Sequence, residues 1–203
     1  MTAENESMRN YILSVMVNNH FGVLTRISGL FARRGYNIKS LTVGETQDER
    51  ISRMTIEFYG DEHTNEQIQN QLRKVVDVVS VTELRRDSSV CRELYLLKVR
   101  ATDKTRAALV QIADIFRAKT VDVASDSLIF EIAGDEEKLK AFYSNMKKYG
   151  VLEVARTGVT AMARGRLDND IKPVYYPRQL RQTTVVVRRI LLTHLPGPSS
   201  ALQ

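Results

Sequence analysis

Two amides, a histidine, an aromatic residue and a glycine follow one another in the segment Asn18–Gly22. An apolar stripe of helical spacing begins directly after it, which places the segment at a helix N-terminus. Backbone N–H groups there have no partner within the helix, and the helix dipole makes this end positive. Gly22 carries no side chain, so a ligand can approach the backbone closely. The segment is therefore suited to hold a small carboxylate.

The same residues also fit a structural role. Asn18 and Asn19 can cap the helix and turn the chain, and Gly22 can satisfy the backbone geometry of the turn. His20 alone is typical of a solvated loop residue, and Asn37, beside Ile38, is typical of the start of a strand. Residue type and spacing leave both interpretations open.

Catalytic and metal-binding patterns are scarce in this chain. The histidines fall in a loop, a helix start and the tail (His20, His63 and His194). Cys91 has no other potential ligand near it in sequence, so the ligand spacing that is typical of a zinc site is absent. The glycine-rich nucleotide motifs and the serine-hydrolase motif are also absent. The sequence favours binding over catalysis, and we predict no catalytic residue and no metal ligand.

Composition and charge limit the classes of protein to which this chain can belong. The 203 residues carry a net charge of +6, and the Lys, Arg, Asp and Glu counts divide it into 0 for residues 1–86, +3 for 87–166 and +3 for 167–203. This diffuse surplus does not predict a nucleic-acid partner. No stretch has the length and hydrophobicity of a membrane span. A lone cysteine and the absence of a signal-peptide pattern predict the cytoplasm.

Apolar periodicity predicts strand, helix, strand, strand, helix and strand in the first half of the chain. The first strand is YILSVMV, and the helix after it carries Val23, Leu24, Ile27, Leu30 and Phe31 as its apolar stripe. Thr64, with Gln67 three residues later, is predicted to cap the second helix. The stripe expected for that helix is Ile68, Leu72, Val75 and Val76.

The second half of the chain repeats this order. Five apolar residues of the first helix and strand recur 85 positions later: Leu24, Ile27, Leu30, Phe31 and Ile38 correspond to Leu109, Ile112, Ile115, Phe116 and Val123. Common strand and helix periodicity is the alternative explanation. We predict an α+β fold of two tandem ferredoxin-like βαββαβ units, each a four-stranded antiparallel sheet with two helices on one face.

The predicted boundaries follow from this repeat. Residues 1–9 form an N-terminal arm, 10–86 the first domain, 87–91 a linker and 92–166 the second domain. Residues 167–203 have no counterpart in either unit, and they are either a docking arm or a non-native extension.

Long motifs in the chain are similar to a known family. The run ILSVMVNNHFGVLTRISGLFARRGYNIKSLTVGET, followed by SRMTIEFYGDE, resembles the ACT domain of the regulatory (small) subunit of acetohydroxyacid synthase, also called acetolactate synthase. The resemblance continues through IADIFRAKTVDV and EVARTGVTAMARG, and covers roughly residues 9–166. The segments SGLFARRGYNI and SLTVG make it specific.

The resemblance implies a protein without catalytic activity of its own in valine, leucine and isoleucine biosynthesis. Such a chain activates a separate catalytic subunit and makes it sensitive to feedback inhibition by valine. Thiamine diphosphate, magnesium and FAD would belong to that catalytic partner, and none to this chain. The chain would form a homodimer through its ACT domains, with no nucleic acid or membrane as a partner.

The resemblance also implies where valine binds. In this family the effector lies between two ACT domains whose sheets pair side by side. Residues after the first strand of one protomer and at the start of the second strand of the other would form the site: Asn19, His20, Phe21, Gly22, Val23, Leu24, Asn37 and Ile38. The second unit has no equivalent of NNHFG, so we expect no effector site there.

Two other functions remain open at this point. One is a free-standing ACT-domain amino-acid sensor that regulates a different enzyme or a transcription factor. The other is a small enzyme of ferredoxin-like architecture, which would need a cluster of titratable side chains in one pocket.

Overall fold

The computed structural model describes residues 8–165. The predicted tail, 167–203, and residues 1–7 of the predicted arm lie outside these described residues. None of the helices within 8–165 has the length and hydrophobicity needed to cross a bilayer.

The first unit is a four-stranded antiparallel sheet in the order β2-β3-β1-β4. Its elements are β1 Arg9–Asn18, α1 Val23–Arg33, β2 Ile38–Glu45, β3 Ile51–Gly60, α2 Glu62–Leu72 and β4 Val78–Glu83. Both helices pack on one face, where alternate strand residues such as Leu13, Val15 and Ile56 meet Ile27 and Leu72. Strand alternation and helical spacing thus produce the predicted layered fold.

The second unit repeats this architecture with the order β6-β7-β5-β8. Its elements are β5 Ser89–Arg100, α3 Arg106–Ile115, β6 Lys119–Val123, β7 Ser127–Gly134, α4 Glu136–Lys147, β8 Val151–Arg156 and β9 Thr160–Ala163. Phe130 and Phe142 are fully buried and meet edge to face at a centroid distance of 6.2 Å. The prediction of two tandem ferredoxin-like units is confirmed.

Helix α2 begins earlier than predicted. Asp61, and not Thr64, is its N-cap: the Asp61 carboxylate accepts a hydrogen bond of 2.7 Å from the Thr64 backbone N–H. The predicted stripe is also too long, because the helix ends at Leu72 and Val76 is 84% exposed. In α1, Leu24 is 46% exposed rather than buried, because its position lies at the edge of the apolar stripe.

The connection between the units is also shifted from the expected position. Strand β5 begins at Ser89, inside the segment 87–91 predicted as a linker. Residues 89–92 are extended because they pair with β9, a short strand that the sequence analysis did not predict. This pairing forms a third apolar cluster, in which Ile12 and Leu84 contact Val159 and Ala161. The cluster covers the face of the first sheet opposite its helices.

Candidate ligand-binding site

The candidate site begins where β1 ends and α1 starts. Gly22 is the N-cap of α1 with φ +87° and ψ −7°, a left-handed conformation in which other residues are strained. A glycine has no side chain with which to cap the helix. Within residues 8–165, the N–H groups of Val23, Leu24 and Thr25 donate to no acceptor. These donors can therefore receive a carboxylate.

Helices α2 and α4 differ from α1 at this end, whereas α3, like α1, has no side-chain cap. Asp61 caps α2, and Asp135 caps α4 through a 2.9 Å bond from the Lys138 N–H. In both cases a side-chain carboxylate from the chain itself occupies the position that an external anion would take. The start of α1 differs from α2 and α4 in offering this position to a ligand.

Asn19 anchors the loop through its backbone and its side chain. Its N–H donates to the Arg50 carbonyl at 2.7 Å, and its side-chain amide donates to the Glu45 carboxylate at 3.0 Å and the Glu49 carbonyl at 2.9 Å. The side-chain amide oxygen of Asn19 is left to accept a hydrogen bond from a ligand. Sequence reasoning did not find Glu45, since nothing in local spacing indicates which strand ends meet in space.

His20 and Arg26 fasten the loop to the start of β4. A ring nitrogen of His20 lies 2.7 Å from the carboxylate of the buried Asp77, which Arg26 also contacts. The other ring nitrogen lies 3.1 Å from the Phe21 carbonyl oxygen. These contacts raise the pKa of His20, the Phe21 carbonyl first and Asp77 second, because both accept a hydrogen bond from the protonated ring.

The apolar residues predicted for the site occupy different environments. Val23 is buried in the core of the first unit, so only its backbone can meet a ligand from outside. Leu24 is partly exposed, and the Phe21 side chain is fully exposed. Two of these side chains are thus available at the surface to contact an aliphatic ligand.

Asn37 and Ile38 lie far from this loop in the same protomer. Ile38 pairs with Phe58, which pairs with Tyr11, whereas Asn18 lies seven residues further along β1. At about 3.3 Å per residue the separation is about 23 Å. One protomer therefore cannot bring both halves of the predicted site to one small ligand.

The Asn37 half of the site opens onto a cavity between the two units. The cavity has a volume of about 1250 Å³, and Asn37, Ile38 and Lys39 line its wall in the first unit. Tyr143 and Arg156 line the wall in the second unit. Arg156 is held there by the buried Glu93 at 2.8 Å.

Across residues 8–165, no group of three or more His, Cys, Asp or Glu side chains is arranged to hold a metal ion. The histidines described there contact other protein groups, His20 as above and His63 through Gln67 at 2.7 Å.

Two family models match this chain. Residues 13–80 match the AHAS small subunit-like ACT domain, and residues 92–165 match the small subunit of acetolactate synthase. The matched ranges correspond to the two units of the fold.

Known proteins agree with these models. The chain is 48% identical to a probable acetolactate synthase small subunit of Archaeoglobus fulgidus, over 76% of this chain and 97% of the relative. It is 45% identical to the acetolactate synthase small subunit of Mycolicibacterium smegmatis, over 76% and 91%. The crystal structure of the small subunit from Thermotoga maritima superposes with a TM-score of 0.73 at 41% identity, covering 78% of this chain and 99% of that one. This chain therefore belongs to the family of acetolactate synthase small subunits.

Proposed function

We propose that this chain is a non-catalytic regulatory subunit that binds valine between two ACT domains. It associates with the catalytic subunit of acetolactate synthase, which depends on thiamine diphosphate, raises its activity and makes it sensitive to valine. The protein works in the cytoplasm, in the synthesis of valine, leucine and isoleucine. The match of residues 92–165 to the small-subunit model argues against a free-standing ACT sensor.

One observation carries the proposal: the two predicted halves of the site lie at opposite ends of β2. Asn19 contacts Glu45 at the end of this strand, and Asn37 precedes its start at Ile38. Strand β2 is an edge strand of its sheet among the described residues. Antiparallel alignment of two β2 strands about a two-fold axis brings Asn37 of each copy toward Asn19 of the other.

This arrangement gives each group a role toward a branched amino acid. The free N–H groups at the start of α1 bind the carboxylate, and Asn37 of the second copy closes the site. Leu24 and Ile38 contact the aliphatic side chain. One methylene changes binding by about 1 to 3 kcal/mol, so leucine and isoleucine compete only partially with valine.

A ligand held by two protomers links binding to the geometry of the dimer. Valine then favours the dimer arrangement in which the two halves meet, and this difference in affinity is what regulation requires. The catalytic subunit responds to the arrangement of the dimer rather than to valine directly.

Calorimetry with valine, leucine and isoleucine tests the site. We expect Asn37→Ala to weaken valine binding about tenfold, the loss of one or two hydrogen bonds. Asn145→Ala, which removes an exposed amide from α4, is the matched control and should bind valine as the unmodified protein does. Equal valine affinity in Asn37→Ala and the unmodified protein would remove the cross-protomer site.

Reconstitution tests the regulatory role. Adding this protein to a purified catalytic subunit should raise the rate of acetolactate formation, and valine should then lower it. If neither the added chain nor valine changes the rate of acetolactate formation, the regulatory role is ruled out.

A further inference from the structure

Every side chain predicted to contact the effector is neutral or, for His20, able to become positive. A free amino acid carries an ammonium group as well as a carboxylate, and the ammonium group needs hydrogen-bond acceptors. The carboxylate has donors at the start of α1, but the predicted contacts include no anionic group for the ammonium. A carboxylate close to Asn19 would complete the site.

Two other carboxylates of the described residues around the loop are already engaged, and Glu49 contacts Asn19 only through its backbone carbonyl, so Asn19 does not orient its carboxylate. Asp77 is buried and held by His20 and Arg26. Asp48 pairs with Arg50, with oxygen to nitrogen distances of 2.8 and 2.9 Å. Neither is free to receive a ligand cation.

Glu45 is placed differently. It is exposed at the last position of β2, and one of its oxygens accepts the 3.0 Å hydrogen bond from the Asn19 amide. Within residues 8–165 its second oxygen accepts no hydrogen bond and it forms no salt bridge. The Asn19 amide therefore orients a carboxylate that still has acceptor capacity.

The strand register places Glu45 beside the loop between β1 and α1. Glu45 pairs with Ser52 on β3, and Asn18 pairs with the adjacent Ile51. In the antiparallel alignment of two β2 strands, this is also the end that Asn37 of the second copy approaches. Glu45, Asn19 and the partner's Asn37 then surround one point with three polar groups.

We infer that Glu45 accepts the α-ammonium group of the effector, and so selects α-amino acids over the hydroxy or keto acids of the same shape. This inference rests on the proposed function, and it assigns the ligand class of that site. The start of α1 binds one end of the zwitterion and Glu45 binds the other.

The test compares two ligands that differ only at the α-substituent. Calorimetry with valine and with 2-hydroxy-3-methylbutanoate, which lacks the ammonium group, is done on the unmodified protein, Glu45→Gln and Glu49→Gln. Glutamine at 45 keeps an oxygen to accept from Asn19, but it loses the charge and replaces the second acceptor oxygen by an NH2 group. Glu49→Gln removes the same charge from an exposed residue of the turn that follows β2, whose backbone carbonyl alone contacts Asn19.

We expect Glu45→Gln to weaken valine binding at least tenfold and to change hydroxy-acid binding less than threefold. Glu49→Gln should leave both affinities unchanged. Thermal denaturation followed by circular dichroism checks that the variants fold alike.

The failures of the two proposals are distinguishable. Undiminished valine affinity in Glu45→Gln, with the unmodified protein binding valine, overturns the role of Glu45 and leaves the effector site in place. If Glu45→Gln weakens the binding of valine and of the hydroxy acid equally, the role of Glu45 is also overturned, because the loss of affinity then does not depend on the ammonium group. Absence of valine binding by the unmodified protein removes the effector site, and the role of Glu45 with it.

Discussion

Single residues of the connection from β1 to α1 divide into those that hold this loop in place and those whose N–H groups are left to bind a ligand. The buried Asp77 fastens His20 and Arg26, and the Asn19 amide ties the loop to the ends of β2 and β3. The N–H groups after Gly22 remain without acceptors in the described chain. A rigid loop with free donors loses little conformational entropy when a ligand binds.

Titration of His20 tests how the loop is held. Its pKa should lie above the ordinary value of 6.5, and Asp77→Asn should lower it, because the charged acceptor is lost. Since the folded pKa is raised, the stabilisation by protonated His20 is complete below pH 6.5 and is lost as the pH rises through the folded value. NMR of the imidazole resonances as a function of pH measures the pKa of His20 in both proteins.

Asp103→Asn, in an exposed turn of the second unit, is the control for this titration. It should leave the pKa of His20 unchanged. An identical His20 pKa in Asp77→Asn and the unmodified protein would show that the contact with Asp77 does not persist in solution.

At the scale of elements, the start of α1 depends on one backbone conformation. The chain must turn sharply from β1 into the helix, and Gly22 does so with positive φ. Space is not the constraint, since a Cβ at Gly22 would meet no atom within 4 Å. The need for glycine there is conformational.

We therefore expect Gly22→Ala to lower the free energy of unfolding by about 1 kcal/mol, the cost of a left-handed alanine. Urea unfolding of the variant and the unmodified protein measures this difference in the free energy of unfolding. Gly44→Ala in β2 is the control, because a Cβ at Gly44 also meets no atom within 4 Å and its φ is not positive. Equal effects of the two substitutions would mean that strain at Gly22 is not the cause.

At the scale of the whole molecule, ion pairs and hydrogen bonds connect the two units. Lys39 and Arg86 each bridge the buried Glu57 of the first sheet, at 3.0 and 2.9 Å, to Glu136 of α4, at 3.4 and 2.9 Å. On the same side, the Val159 N–H donates to Ser40 at 2.9 Å. Because Lys39 directly follows Ile38, this network joins the predicted Asn37 and Ile38 half of the site to the second unit.

Glu136→Gln should weaken this junction. The hydrogen bond from Lys140, with the charges of Lys39 and Arg86, lowers the pKa of Glu136 from 4.5 to about 2. A depressed pKa means that the stabilisation is present above the unfolded value and is lost as the pH falls toward 2. We expect a loss of about 1 kcal/mol at neutral pH, as for a partly exposed ion-pair network.

Urea unfolding at pH 7 and at about pH 3 checks this prediction, and the difference between the variant and the unmodified protein should be smaller at the lower pH. Glu137→Gln, the exposed next residue of α4, serves as the control and should unfold as the unmodified protein does. A Glu137→Gln variant as unstable as Glu136→Gln would contradict the assignment to the junction.

The sequence alone determined the architecture and the family. Alternation in β1 and the stripe that includes Ile27 and Phe31 are local patterns, and each forces one face toward a core. Their recurrence 85 residues later predicted the second unit, and the motifs around Gly22 and Gly35 indicated the family. The apolar periodicity of the sequence matches the structure because each of these strands and helices, in both units, turns its apolar face toward a core.

Tertiary structure alone decided which distant groups meet. Asp77 reaches His20 from 57 residues away, and Glu45 reaches Asn19 from 26 residues away. Strand β9 forms only because β5 offers it an edge, and Asp61 replaces Thr64 as a cap because the turn after β3 is tighter than spacing suggests. Such contacts depend on the register of strands and the direction of side chains, which local sequence does not encode. The grouping of Asn19 with Asn37 in one site stays a prediction, because it also depends on how two copies meet.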